Sequence, residues 1–284
     1  MDRAAPGAPS QLGGASVWIG DFGLFRKPLR AGPDRPSVAR CRHAGRRGRP
    51  DRRVDPGHGR RGLHHGSHRV TTPRYLPLLN QLDRWQAGAA ARHPGVIPCR
   101  SGCTACCLGP FDISVADAAL VALAVSRLDS TVRAGVLARA EAQVALMNRL
   151  EPSWGRPYDV AAIGEARFDQ LTDALATEPC PALDDQGACT IYEHRPFVCR
   201  VMGLGMVIES GDVIENGCPI QDQFPTYAAL PAEPFRLEAF ETGEDEAKGA
   251  AAGSLFGDES RGNYETTIAA AITTWRDSAP ADSL

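Results

Sequence analysis

The sequence predicts a mainly α-helical protein of the α+β class, with a small β-hairpin and a loop-rich region around its cysteines. Three observations predict it. Apolar residues recur at helical spacing through much of residues 75–176. Two short β-prone runs, Met206–Glu209 and Asp212–Glu215, flank Ser210-Gly211 and read as a hairpin. Eight cysteines fall in two bunches, at 99–107 and 180–218, in stretches rich in turn residues.

The elements follow in order. Tyr75 to Trp85 carries apolar residues at helical spacing. Ser114 caps a helix running to Leu128, and Asp117 three residues on makes a weak capping box. A second helix spans Ser130 to Leu150, with Val132, Val136, Ala140, Val144 and Met147 on one face, and Pro152 ends it. A third covers Gly164 to Ala176, with Phe168, Leu171 and Leu175 on one side. Asp184-Asp185-Gln186-Gly187 is a turn, and Cys189–Tyr192 is expected to be a short strand. Residues 222–258 are acidic and weakly patterned, and Tyr264 to Trp275 is expected to form a last helix.

The net charge of -3 conceals two unlike parts. Residues 1–69 carry 15 Lys and Arg against 5 Asp and Glu, whereas the rest carries 16 against 29. Residues 35–69 hold eleven arginines and five of the seven histidines, with only Val38, Val54 and Leu63 as sizeable aliphatics. Such a tail cannot bury enough apolar surface to offset its ordering entropy, so it is expected to be disordered. Three readings of it stand: a basic arm, a His-rich metal tract, or an upstream GC-rich frame translated ahead of a true start near Val70. The acidic body, 70–284, does not attract nucleic acid by itself. No apolar run reaches the length of a membrane helix; the nearest, Val17–Phe25, is broken by Asp21 and two glycines. No secretory signal is evident, so a cytoplasmic, reducing setting is expected.

The cysteines carry the chemistry. Four lie within nine residues, Cys99-Arg100-Ser101-Gly102-Cys103-Thr104-Ala105-Cys106-Cys107, and four more are Cys180, Cys189, Cys199 and Cys218. Cys103-x2-Cys106 has the spacing of a metal knuckle, and Gly102 permits a tight turn beside it. Cys106 and Cys107 are adjacent, so their side chains diverge and more easily serve two metal atoms than one. Cys180 and Cys218 each precede proline, as in ferredoxin cysteine runs. Four disulfides are the competing reading, and a reducing compartment argues against it. Only one Cys-x2-Cys pair is present and no His pair accompanies it, which favours an iron–sulfur cluster over zinc. The expectation is therefore a single compact, metal-centred domain, with its motif core at 99–218 and Cys41 outside the site.

Cys99-x3-Cys103-x2-Cys106-Cys107, Cys180-Pro181-Ala182-Leu183, Cys189-Thr190-Ile191-Tyr192-Glu193-His194-Arg195-Pro196 and Cys199-Arg200 together resemble the YkgJ-type cysteine-cluster family. Its bacterial and archaeal members are described as zinc- or iron-chelating domains. The family's first pair is often Cys-x2-Cys, and here it is Cys-x3-Cys. The resemblance implies metal chelation without fixing a reaction. Flagellin lysine methylases look like relatives, which makes a metal-dependent redox or protein-modification enzyme the alternative. Tyr192, Arg195 and Arg200 match the motif; they are expected beside the metal ligands, offsetting thiolate charge. Arg195 is also a candidate to pair with Glu193 or Asp184, and His194 is expected to be exposed rather than a ligand.

Overall fold

A computed structural model describes residues 74–100 and 102–276. The tail 1–69, the composition break at Val70 and Cys41 lie outside the described residues.

Helix α1 (Tyr75–Arg92) buries Tyr75, Leu79, Leu82 and Ala89, a stripe at steps of four, three and seven. Strand β1 (Asp112–Ser114) runs directly into α2 (Val115–Ser126). Ser114 caps α2, its hydroxyl accepting from the Asp117 N–H at 3.2 Å. Eleven of the twelve residues of α2 are buried. A helix apolar on every side has to lie at the centre of a fold, and α2 does. Helix α3 (Ser130–Leu150) begins at the Asp129 cap, with the bounds the periodicity predicts. Val136, Ala140, Val144 and Met147 are buried as expected, whereas Val132 is 42% exposed, because the stripe meets its neighbours only after the first turn. The short α4 (Val160–Ile163) and α5 (Glu165–Ala174) follow, and Phe168, Leu171 and Leu175 are buried.

The cysteine region holds little regular structure. The turn at 184–187 forms as predicted: Asp184 Oδ1 accepts from the N–H groups of Gln186 and Ala188, at 2.9 and 2.8 Å. The strand expected at Cys189–Tyr192 does not form. Cys189 makes one bridge to Leu183, and Tyr192–His194 coil into a single 3-10 turn leading to α6 (Phe197–Val201). The hairpin is present but shorter than expected, as β2 (Met206–Val207) and β3 (Val213–Ile214).

The structure corrects the reading of the C-terminal part twice. The segment taken as weakly patterned contains α7 (Pro225–Ala228), β4 (Glu233–Pro234), which pairs parallel to β2, and the 20-residue α8 (Leu237–Phe256). Glu209, just after β2, accepts the Leu237 and Glu238 N–H groups and so caps α8. The last expected helix starts late. Glu265–Thr267 form β5, antiparallel to β1 with Ile113 opposite Thr266, and only Ile268–Thr274 form α9. Thr267 Oγ1 caps α9 from the Ala270 N–H, as Ser114 caps α2. Helices α8 and α9 pack on α2, and α3 packs on α9. The cysteine loops sit against this helical body and α1. Among the described residues no helix is long and apolar enough to cross a membrane.

Candidate metal centre

The two cysteine loops meet through their backbones. Cys180 N–H donates to the Cys107 carbonyl at 2.9 Å, and Gly109 N–H donates to the Glu178 carbonyl at 2.7 Å, around a bridge between Leu108 and Pro179. Within the first loop, Cys103 N–H donates to the Arg100 carbonyl and Cys107 N–H to the Thr104 carbonyl, two tight turns in succession.

Around this clasp lies a cavity of about 560 Å³. Its wall includes Cys99, Cys103, Cys106, Cys107, Cys180, Cys189 and Cys199, together with Asp83, Gln86, Arg100, Tyr192, Glu193 and Arg195. Cys218 is not on the wall; it is buried, within electrostatic reach of Cys99. All eight are free thiols. The eight cysteines singled out in the sequence therefore share one region.

Cys199 rides on α6, and two polar networks hold that helix. Arg200 is wholly buried; its guanidinium pairs with Asp83 of α1 and donates to the carbonyls of Arg195 (2.9 Å) and Glu193 (2.7 Å). Arg195 also pairs with Asp83, at 2.6 Å, and stacks over the Tyr192 ring at 4.1 Å. Arg195 thus pairs with Asp83 and not with Glu193 or Asp184. Tyr192 is 52% exposed at the rim, and His194 is half-buried and off the wall. On the other side, buried Asp117 accepts from the Phe197 N–H at 3.1 Å and the Tyr75 hydroxyl at 2.9 Å. Sequence reading saw Asp117 only as a capping residue and missed Asp83.

Gly203 and Tyr227 also escaped it. Gly203 has φ +92°, and a Cβ there would stand 2.6 Å from the Cys99 sulfur. The missing side chain is the space the sulfur occupies. Although Cys99 as a residue is exposed, its sulfur is tucked under this glycine. The Tyr227 hydroxyl donates to the Gly203 carbonyl at 2.6 Å and fixes that backbone. A glycine between Met202 and Leu204 hinted at a close approach; nothing near Tyr227 did.

Cys99, Cys106, Cys180, Cys189 and Cys199 resist ionisation as they stand. Burial, then the neighbouring Cys218, Cys106 and Cys103, pushes Cys99 up to about 11. Burial, then Cys189 and Cys106, pushes Cys180 up to about 12, and burial drives Cys199 well above its usual value. For Cys106 a hydrogen bond with Cys107 leads, followed by burial. Thiolates crowded into a poorly hydrated wall need a cation to offset their charge. The donor set is chemically suited to a thiophilic metal. Among the described residues no three Cys, His, Asp or Glu side chains converge as they would on one ion. The sulfurs line a wall instead of enclosing a point.

A helical scaffold carrying a thiol-lined cavity defines a cysteine-cluster protein. Residues 98–219 match the family model CxxCxxCC, described as "Putative zinc- or iron-chelating domain", which takes in all eight cysteines and less than half of the chain. Neither the curated proteins nor the solved structures compared with the chain gave a match.

Proposed function

We propose that the cysteines hold an iron–sulfur cluster, with Cys103, Cys106, Cys180, Cys189 and Cys199 among the ligands and Cys99, Cys107 and Cys218 completing the set. The observation that carries this is the spread of thiols around a cavity of about 560 Å³ without convergence on one point. Four thiolates on one zinc at about 2.3 Å would draw their sulfurs to within roughly 3.8 Å of each other. A polynuclear cluster accepts thiolates spread around a wider space. When bound, such a cluster supplies electron transfer or Lewis acidity. The chain's own contribution is to fix Cys199 through the Arg200–Asp83 pair, seat Cys99 under Gly203, and keep water from the buried sulfurs of Cys180 and Cys218.

The test is purification of the full chain without oxygen, followed by iron, acid-labile sulfide and zinc per chain and a visible spectrum. A brown protein with iron and sulfide in comparable amounts is expected. A colourless protein holding only zinc overturns the cluster and leaves a structural zinc site. Cys103→Ser, Cys180→Ser or Cys199→Ser should each lower bound metal severely, and Cys41→Ser should not.

The part of the wall formed by Gln86, Arg100 and Glu193 favours a second reading, a metal-dependent redox or protein-modification enzyme with room beside the metal for a substrate group. A change in the visible spectrum on adding a lysine-bearing peptide supports it; an unchanged spectrum at saturating peptide counts against it.

A further inference from the structure

Buried Asp117 on α2, the Tyr75 hydroxyl at the start of α1 and Glu244 on α8 meet where the three helices converge. The hydroxyl lies 2.9 Å from Asp117 Oδ1 and 3.4 Å from Glu244 Oε1. It has one proton and faces two carboxyl groups. Burial, then Asp117 and Glu244, drives Tyr75 well above its usual value, so the hydroxyl keeps that proton. With both carboxyls ionised, one of the two contacts sets lone pair against lone pair. One added proton resolves this: a neutral Asp117 donates to the Tyr75 oxygen, and Tyr75 donates to Glu244.

Surroundings assign the added proton to Asp117. It is 3% exposed, whereas Glu244 has a cation beside it, Lys248 at 3.1 Å. Arg200 on α6 lies within electrostatic reach of Asp117, yet its guanidinium is directed at Asp83 and the carbonyls of Arg195 and Glu193. Burial, then Glu244, pushes Asp117 up to about 7. The other charged or titratable groups nearby are Glu241 and Asp245 on α8, Glu265 on β5 with Asp112 on β1, and Cys199 on α6. Helix α9 brings no titratable side chain. His194, on the 3-10 turn packed against α2, faces Arg127 at the far end of that helix, where α3 also joins it.

Asp117 Oδ1 also accepts the Phe197 N–H at 3.1 Å, and Phe197 opens α6, the helix that carries Cys199. The added proton therefore bears on how firmly α6 is seated. We propose that Asp117, Tyr75 and Glu244 form a proton-holding latch that seats α6 on the helical body, closed while one proton is shared among them and loosened when it leaves. Its contribution to stability is complete below the unfolded aspartate value of about 3.9 and is lost as pH rises through about 7. The latch does not depend on what the cysteines hold.

The full chain is prepared as wild type, Asp117→Asn and Glu244→Gln. Asparagine keeps an acceptor for the Phe197 N–H and stays neutral at every pH. Two quantities are followed across neutral pH: the infrared absorption of neutral carboxyl groups, and hydrogen exchange of the α6 amides corrected for its intrinsic pH dependence. Wild type should lose one neutral-carboxyl component near pH 7, and α6 protection should fall about ten-fold between pH 6 and 8. Asp117→Asn should lack that component and hold α6 protection level. Glu244→Gln removes the neighbouring charge, so both transitions should move to lower pH. If Asp117→Asn does not fold, Glu244→Gln decides. An Asp117→Asn chain that keeps the full wild-type carboxyl titration shows Asp117 ionised throughout and overturns the latch. Unmoved transitions in Glu244→Gln show that the proton is not shared and overturn it too. Wild-type α6 protection that stays level while the carboxyl titrates shows that the proton does not seat the helix. Metal per chain, measured on the same wild-type sample, tests the proposed cluster separately.

Discussion

Helix α2 and the segment from Cys180 to Cys199 both lie against the centre of the molecule, yet they are held there by different forces. The helix has apolar residues on every face and eleven buried positions. Its cohesion is the sum of many small, non-directional contacts, so no single atom decides it. The cysteine segment has a 3-10 turn, single bridges and a five-residue helix. Its shape depends on a few directed polar contacts, chiefly Arg200 with Asp83 and the carbonyls of Glu193 and Arg195. Packing tolerates small displacement; a charged hydrogen bond inside the protein does not. Damage to the helical body should therefore lower stability and spare the metal. Damage to the cysteine segment should affect both.

The largest effect is expected in the helical body. Ile272→Ala removes a fully buried side chain of α9 and should cost about 2–5 kcal/mol in chemical denaturation, with metal per folded chain unchanged. If metal falls in step with stability, the two regions are not separable. Arg200→Met should cost about 3 kcal/mol, the low end for breaking a buried pair, since Asp83 keeps some contact with water. Here metal per folded chain should fall too. Gly203→Ala should cost about 1–3 kcal/mol, from positive φ and the approach to the Cys99 sulfur. Its metal loss should be partial, because the α6 clamp is untouched.

A smaller effect concerns pH. Burial, then Asp112, pushes Glu265 up to about 7. A raised carboxyl value means the folded state prefers the neutral form. That contribution is complete below the unfolded value of about 4.3 and is lost as pH rises through about 7. Glu265→Gln should therefore gain stability relative to wild type between pH 5 and 7.5 and level off above. A constant difference across that window would show that Glu265 does not titrate there. Val132→Ala, on the exposed first turn of α3, should change stability by less than about 0.5 kcal/mol.

The sequence made α3 legible, because a long apolar stripe and a proline stop agree. Helix α8 was not legible. Its buried residues, Leu237 and Phe240 at one end and Ala251 and Ala252 at the other, leave a polar middle, so no continuous stripe appears. Gly243, Gly249 and Gly253 also lower its helix propensity, although Gly243 lets Leu78 approach closely. β5 was hidden in an apparent helix because Thr266 and Thr267 fit either state until pairing with β1 selects the strand. At the candidate site, the cysteines were plain from their bunching, and the resemblance to a cysteine-cluster family agrees with the match over residues 98–219. Of the groups that position them, Arg195 and Arg200 stood out through the motif, and Asp83, Gly203 and Tyr227 did not. Asp83 is 117 residues from Arg200, and no local pattern joins them. Tyr227 and Gly203 meet only through the fold.

The clasp between Cys107 and Cys180 has a kinetic consequence. Bringing the ends of a flexible segment of this length together costs on the order of 4 kcal/mol in chain entropy beyond a constant. Here helices α2 to α5 and the backbone bonds at the clasp meet that cost. An arriving ion therefore finds both loops already side by side. Loading should resemble filling a socket more than pulling a thread taut: its rate should follow the concentration of the metal donor and the ease of deprotonating the thiols, with no slow phase from chain search.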